Sequence, residues 1–502
     1  MLFSMNYMPL IAFFIPLICS GLVLVFRHHP NIRETCTLVS AITGFTAIIS
    51  MAPAVLEQQY PQTPVFAIAQ GLAFGFRADA FGLIFALTAS FLWILVSVYA
   101  IGYMRTLNEH AQTRFYCYFA LAIACALGIA LARNLVTFYL FYEALTFSTY
   151  WLVAHHEDDA AFAGAKKYLT YLLISGWFFF AAVAMTFALT GTTEFVPGGI
   201  LDKSVASKQS LIVLFFLFSL GAMKAAWMPF HAWLPGAMVA PTPVSALLHA
   251  VAVVKAGVFT FVRVVCYVFG LELFQALGLG LVLAAMAGFT MLVASFFAIG
   301  EDNLKRRLAY STVSQLSYIL FGTALLTPYG IRGAMVHIPF HGFMKITLFL
   351  CAGAVLAVTE KKRISQLAGI GRQMPVTMAA FAVGGAGMCG LPPVAGFLSK
   401  YFLCLGTVQA GAWVLLGVII VSSVLDVIYF FPIVNMAFFQ RAGPDAVTSE
   451  SHSGWKEIGN PLYLFMVIPL GITAGISILL CFFPNTFYIL DLTTLAITTL
   501  FS

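Results

Sequence analysis

Runs of about 20 apolar residues, each bounded by polar, glycine or proline punctuation, recur along the whole chain; a run of that length crosses the hydrocarbon core of a bilayer as one helix. Fourteen are predicted, at 5–26, 34–54, 80–102, 115–132, 134–154, 168–190, 210–238, 243–268, 273–299, 308–327, 330–358, 376–408, 411–438 and 460–483. The seventh and twelfth are too long for a straight span and contain prolines, so both are expected to be broken helices. The polar stretches near 55–78, 191–209 and 440–459 are too short to hold a folded core. In the first of them, PVFAIAQGLAFGFRADAFG alternates and reads as a hairpin outside the membrane. The tail NTFYILDLTTLAITTLFS reads as a helix along the membrane surface or a fifteenth span. No cleavage pattern follows the first run, which is expected to be a retained helix rather than a signal peptide.

Composition narrows the class. The 502 residues are 61% hydrophobic and 9% charged, against about 25% charged in an ordinary soluble domain. The expected fold class is an all-α polytopic membrane protein. Nine cysteines show neither a CxxC pair nor metal-ligand spacing, which argues against a disulfide framework or an iron–sulfur cluster. The formal charge of +6 is small for this length and points to no nucleic-acid partner. Basic residues alternate between the loops: with the N-terminus outside, the inside loops hold fifteen of them, such as Arg105, Lys305 and Lys361, and the outside loops five, such as Arg77 and Lys203. The positive-inside bias therefore predicts both termini outside, in a multi-pass protein of a bacterial cytoplasmic membrane.

Against this background the ionisable groups inside the runs stand out: Glu143, Lys224, His249, Lys255, Arg263, His337, His341, Lys345, Lys400 and Asp426. A charge at mid-helix depth costs about 2.5–3.5 kcal/mol on insertion scales, so such groups pair or line wet cavities. Arg263 and Asp426, one each on the eighth and thirteenth runs, are read as groups that snorkel or hold helices together. The other eight, on five helices, exceed any packing need. His337, His341 and Lys345 follow an i, i+4, i+8 spacing and share a helix face, as a proton relay requires, whereas His249 and Lys255 do not share one. Titratable lysines and histidines with a single acid suit protons; a sodium or potassium cage would want more carboxylates or unwound carbonyls.

The two irregular runs carry part of this set. Pro229 is expected to interrupt the seventh helix just after Lys224, with Pro235 following, and to free carbonyls that water or neighbours must satisfy. In the twelfth, Pro392 and Pro393 break the helix ahead of Lys400. Two broken helices five spans apart run in opposite directions, the arrangement of inverted repeats over helices 4–8 and 9–13.

The segment KAAWMPFHAWLPGAMVAPTPVSALLHAVAVVKAG resembles the signature of the antiporter-like proton-translocating subunits shared by respiratory complex I, membrane-bound hydrogenases and multisubunit (Mrp-type) cation/proton antiporters. LARNLVTFYLFYEALTFSTYWL resembles their fifth helix, HIPFHGFMKITLFLCAGAV their eleventh and GLPPVAGFLSK their twelfth-helix break. The resemblance covers roughly 75–430 and implies fourteen helices with two inverted five-helix repeats. It divides the chain into 1–112 (helices 1–3 with the hairpin), 113–270 (first repeat), 271–440 (second repeat) and 441–502 (helix 14 and tail). It further implies that Glu143 and Lys224 form a coupled pair, that His249 and Lys255 relay on the eighth helix, and that Lys345 with its histidines leads to Lys400. The sequence departs from many relatives at LPGA, 234–237, where they carry an acid. Lys255 and its surroundings resemble the D-type subunit of Mrp antiporters most closely.

The expected function is proton translocation inside a larger membrane complex, with other membrane subunits as partners and Na+ or K+ as a candidate counter-ion. A complex I or hydrogenase pump module, and an energy-coupling subunit for inorganic carbon uptake, stay open beside the antiporter. No flavin, haem, quinone or metal motif is present, so neither a cofactor nor a redox centre is expected in this polypeptide.

Overall fold

The structure, a computed structural model, describes residues 5–247, 251–440 and 456–502. Among them, sixteen helices have ten residues or more and are numbered in order. The first half holds α1 Met8–Val25, α2 Pro30–Ile49, α3 Ala80–Thr106, α4 Gln112–Ala130, α5 Leu135–Val153, α6 Asp159–Thr190, α7 Lys208–Gly221 and α8 Val253–Arg263. The second holds α9 Leu279–Gly300, α10 Leu304–Ala324, α11 Pro328–Thr359, α12 Pro375–Cys389, α13 Ala395–Gln409, α14 Trp413–Phe439, α15 Pro461–Phe482 and α16 Ile489–Phe501. One antiparallel hairpin, β1 Phe66–Ala69 and β2 Leu72–Phe74, lies between α2 and α3.

Nine helices among the described residues are long and apolar enough to cross a membrane: α1, α2 with its extension to Leu56, α3, α4, α6, α9, α11, α14 and α15. Local sequence sets their starts. Asp79, Asn134, Asp158, Asn303 and Thr327 accept hydrogen bonds from backbone N–H groups in the first turns of α3, α5, α6, α10 and α11. Two helices, α3 and α11, are enclosed on nearly all sides. Tyr99 of α3 donates to the Leu350 carbonyl of α11 at 2.8 Å, and α11 also packs on α10, α12, α13 and α15. The 13-residue α16 is shorter than the roughly 20 residues a span needs and rests on α3 and α11.

The seventh run differs from expectation in where it breaks. The regular helix ends at Gly221, ahead of Lys224, which lies in a 3-10 turn, Met223–Ala225; the short helix Trp233–Gly236 follows Pro229 and contains Pro235. The carbonyls released at this end are taken up by side chains. Ser219 accepts from the Trp227 indole at 3.0 Å, Gly221 from Ser175 at 2.6 Å and Tyr142 at 2.9 Å, and Met223 from the Trp233 indole at 3.0 Å. The helix thus ends well before Pro229, with hydroxyls of α5 and α6 and two indoles of the run itself receiving its carbonyls. The twelfth run parts at Cys389, with Gly390 in the left-handed region at φ 81° and Pro392 and Pro393 between α12 and α13.

One contact ties the seventh-run break to α8. A Cβ on Gly257 would lie 2.0 Å from the Ala225 backbone nitrogen and 2.3 Å from the Lys224 carbonyl carbon, so the two backbones meet with no room for a side chain. Gly257→Ala is expected to lower the thermal unfolding temperature of the purified protein, since overpacking costs about 1–3 kcal/mol. Gly300→Ala, at a helical glycine with nothing within 4 Å of the new methyl, is the control and should leave it unchanged.

Candidate functional site

The buried titratable groups fall into two regions. In the first, Lys224 has no exposed surface. Its Nζ donates to the Tyr142 carbonyl and lies 3.3 Å from the centre of the Tyr142 ring. Glu143, the next residue on α5, is partly buried, and its carboxylate packs against α6 where Gly176 leaves space: a Cβ there would come within 2.6 Å of the carboxylate oxygens. Among the described residues Glu143 and Lys224 form no ion pair, so the lysine is held by the backbone and ring of Tyr142 instead. One Glu143 oxygen is buried with no hydrogen-bond partner.

The second region is larger and centres on α11. His341 Nδ1 is 2.8 Å from Lys255 Nζ of α8, and His337 Nδ1 is 2.8 Å from Ser399 Oγ of α13. The two imidazole centres are 5.7 Å apart, and the second nitrogen of each ring, Nε2, is buried without a partner. Lys345 donates to Ser311 Oγ of α10 at 2.8 Å, and the Tyr429 hydroxyl of α14 lies 3.0 Å from the same oxygen, within hydrogen-bond distance. Tyr429 also bonds Asp426, which accepts from Lys400 Nζ of α13 at 2.7 Å and from Gln315 Nε2 at 2.9 Å. Lys345, Ser311, Tyr429, Asp426 and Lys400 thus form one unbroken contact path over four helices.

The shared face of His337, His341 and Lys345 therefore serves three different neighbours: Ser399, Lys255 and Ser311. His249 lies outside the described residues. The two groups read as structural differ from each other. Arg263, 1% exposed, does not snorkel; it makes two 2.7 Å bonds to Asp79 among the rings of Phe81, Phe195, Phe259 and Tyr267. Asp79 also caps α3 through Gly82 N–H at 2.7 Å, so this pair fastens α8 to the start of α3. Asp426 is fully buried inside the lysine cluster rather than at a helix edge. Its signal in the sequence is that it stands alone as the charge in the run 411–438. Ser311, Gln315 and Tyr429 carry no such signal.

A chain of groups that both donate and accept can pass a proton by successive hydrogen-bond exchange, whereas a fixed carboxylate–ammonium pair anchors one end. Among the described intramembrane lysines only Lys400 faces a carboxylate at contact distance.

The family model described as NADH:quinone oxidoreductase/Mrp antiporter, transmembrane, matches residues 132–426, and that of the N-terminus of complex I chain 5 matches 68–116. The N-subunit of the NADH-quinone oxidoreductase of Desulforudis audaxviator is 34% identical over 354 residues, 70% of each chain. The A-subunit of the Na(+)/H(+) antiporter of Alkalihalophilus pseudofirmus is 31% identical over 468 residues, 87% of this chain and 55% of that one. The chain thus spans about half the length of that antiporter protein. Chains in two solved complexes share its fold over nearly their whole length. They come from the Mrp complex of Dietzia sp. DQ12-45-1b (TM-score 0.83, 20% identity, covering 99% of this chain and 98% of that one) and a membrane-bound sulfane sulfur reductase, an archaeal respiratory membrane complex (0.82, 22%, 98% and 97%).

The Lys400–Asp426 pair generates a stability prediction. Asp426→Asn leaves a buried ammonium without its counter-charge, a loss of about 3–5 kcal/mol. Lys400→Met combined with Asp426→Leu removes both charges and should unfold at a higher temperature than Asp426→Asn alone; an equal or lower value would show that the pair is not what holds α13 to α14.

Proposed function

The chain belongs to the NADH:quinone oxidoreductase/Mrp antiporter transmembrane family, and on that premise we propose that it is a proton-translocating subunit of a multisubunit membrane complex, most akin to a monovalent cation/proton antiporter. The observation that carries this reading is the contact path from Lys345 through Ser311, Tyr429 and Asp426 to Lys400. Burying several lysines in an apolar bundle is costly, and a path of exchangeable hydrogens gives them a use that packing does not. In this proposal Glu143, Lys224, His249, Lys255, His337, His341, Lys345 and Lys400 form the relay, with Asp426 and Tyr429 added to it. The breaks at Pro229 and Pro235 and at Pro392 and Pro393 are the equivalent points of two inverted five-helix repeats, 113–270 and 271–440, in a bundle of fourteen spans with both termini outside. Lys255 and its surroundings favour the D-type subunit of Mrp antiporters. Na+ or K+ is the exchanged cation and other membrane subunits are the partners. The similarity to an oxidoreductase N-subunit favours a second reading, a redox-driven pump module.

Lys224 tests the reading. In inverted vesicles, Lys224→Ala should abolish formation of a pH gradient while the complex still assembles. Lys224→Arg should fail too, because arginine does not release its proton in proteins. Normal translocation by an assembled Lys224→Ala complex would overturn the relay.

Tyr429→Phe isolates the newly added link. It keeps the ring and deletes the hydroxyl that joins Ser311 to Asp426. The rate is expected to fall by about tenfold to a hundredfold, the equivalent of one hydrogen bond to a charged group. A wild-type rate in the assembled variant would remove Tyr429 from the path.

A further inference from the structure

Away from the relay, two loops converge on a group of side chains that the proposed transport does not use. Glu109 and His110 lie between α3 and α4; His155 and His156 lie between α5 and α6. Glu109 Oε2 is 3.6 Å from His155 Nε2 and 3.5 Å from His156 Nδ1. One ligand atom from each of Glu109, His110 and His155 falls within 4.8 Å of the others. The His155 ring is fully buried, yet neither of its nitrogens has a hydrogen-bond partner. Its neighbouring acceptor, Glu109 Oε2, stands 3.6 Å from Nε2, beyond a hydrogen bond, and a buried polar atom left unmet costs about 1–3 kcal/mol. A ligand between the loops would use at least one of the two nitrogens.

We propose that Glu109, His110 and His155, with His156 beside them, form a binding site for a divalent transition cation of the zinc class. The donor set, imidazoles with one carboxylate, is that of borderline cations rather than of the hard magnesium or calcium ions. Bonds of about 2.0–2.2 Å put the ligand atoms of a tetrahedron about 3.3–3.6 Å apart; the Glu109 Oε2–His155 Nε2 separation of 3.6 Å meets this, and all three ligand atoms lie within 4.8 Å of one another. Two basic groups bordering the region are engaged elsewhere. Arg114 is paired with Glu157 and also donates to the His155 carbonyl at 2.9 Å, and Lys305 donates to the Ala240 carbonyl at 2.6 Å. Those Arg114 contacts fasten the loop after α5 to the first turn of α4 before any cation arrives. No motif in the sequence announces the site, because its ligands come from separate loops, and the expectation of no metal rested on cysteine spacing and linear motifs.

His156 gives the site a place in the molecule. It also lines a cavity of about 340 Å³ whose wall includes Pro235 and Met238 from the interrupted seventh run, Ala240 just after it, and Lys305 from α10. A bound cation would tie the loop after α3 to the loop after α5, the helix that carries Glu143, at the rim of that cavity.

The test is direct binding of Zn2+ to the full-length chain, purified in detergent and stripped with a chelator, read by metal analysis after equilibrium dialysis and by X-ray absorption. The wild type should bind one Zn2+ with nitrogen and oxygen ligands only, and Mg2+ should not compete. Glu109→Gln and His155→Asn should each weaken binding by about tenfold or more, given that even outer-shell partners of a ligand carry that much. His110→Asn changes an exposed ring and does not endanger folding, so it decides the matter if a buried variant fails to fold. His29→Ala, at an exposed histidine between α1 and α2, should bind like the wild type. Equal binding by wild type and His110→Asn, sulfur in the ligand shell, or no Zn2+ in the wild type would each overturn the proposal.

Discussion

A lysine ammonium removed from water must find an acceptor, and in this chain each of four buried lysines finds it on a different helix from its own. Lys224 takes the Tyr142 carbonyl and ring, Lys255 takes His341, Lys345 takes Ser311 and Lys400 takes Asp426. These contacts fix which helices must be neighbours, because separating any pair would leave a charge in hydrocarbon. They also divide the lysines into two kinds. A neutral acceptor tolerates either charge state of its partner, while a carboxylate in contact favours the ammonium. Lys400 is of the second kind, and Lys224, Lys255 and Lys345 are of the first, the property that the proposed relay needs from its interior members.

The same requirement governs the backbone. Ending a helix inside the bundle exposes carbonyls that nothing in a bilayer core can satisfy, and the indoles of Trp227 and Trp233 with the hydroxyls of Ser175 and Tyr142 meet that demand at the end of α7. Tyr142 has two duties here: its hydroxyl supports the broken helix and its carbonyl receives Lys224. The break and the lysine therefore belong to a single construction on α5, and Glu143 sits beside it without touching the lysine.

Much of this was legible in the chain. Apolar run length located the long helices α1, α3, α11, α14 and α15 to within a few residues, since run length is a direct imprint of bilayer thickness, whereas the ninth run starts six residues early because it takes in part of the short helix Leu271–Ala276. Charges in apolar runs marked Lys224, Lys255, His337, His341, Lys345 and Lys400, all of which are buried. What escaped has physical causes. Ser311, Gln315 and Tyr429 are ordinary helix residues whose meaning comes only from what faces them across an interface. The role of Asp426 is hidden because an isolated charge looks the same in sequence whether it snorkels or pairs. The end of α7 differs from the proline signal because the donors that receive its carbonyls include hydroxyls of α5 and α6, which only the tertiary structure brings there.

Helix α8 shows how the two regions can be parts of one device. On one side its Gly257 touches the backbone of Lys224 and Ala225, so the seventh-run break rests directly on α8 with no intervening side chain. Two residues earlier on the same helix, Lys255 reaches His341 on α11. At its far end Arg263 is clamped to Asp79 and sealed by four aromatic rings, which pins the helix to the start of α3. A helix held at one end and in backbone contact with a break cannot shift without moving that break. A displacement at Lys224 would reach the Lys255–His341 contact through a single turn of α8, a mechanical route open to the proposed relay without an ion pair between Glu143 and Lys224.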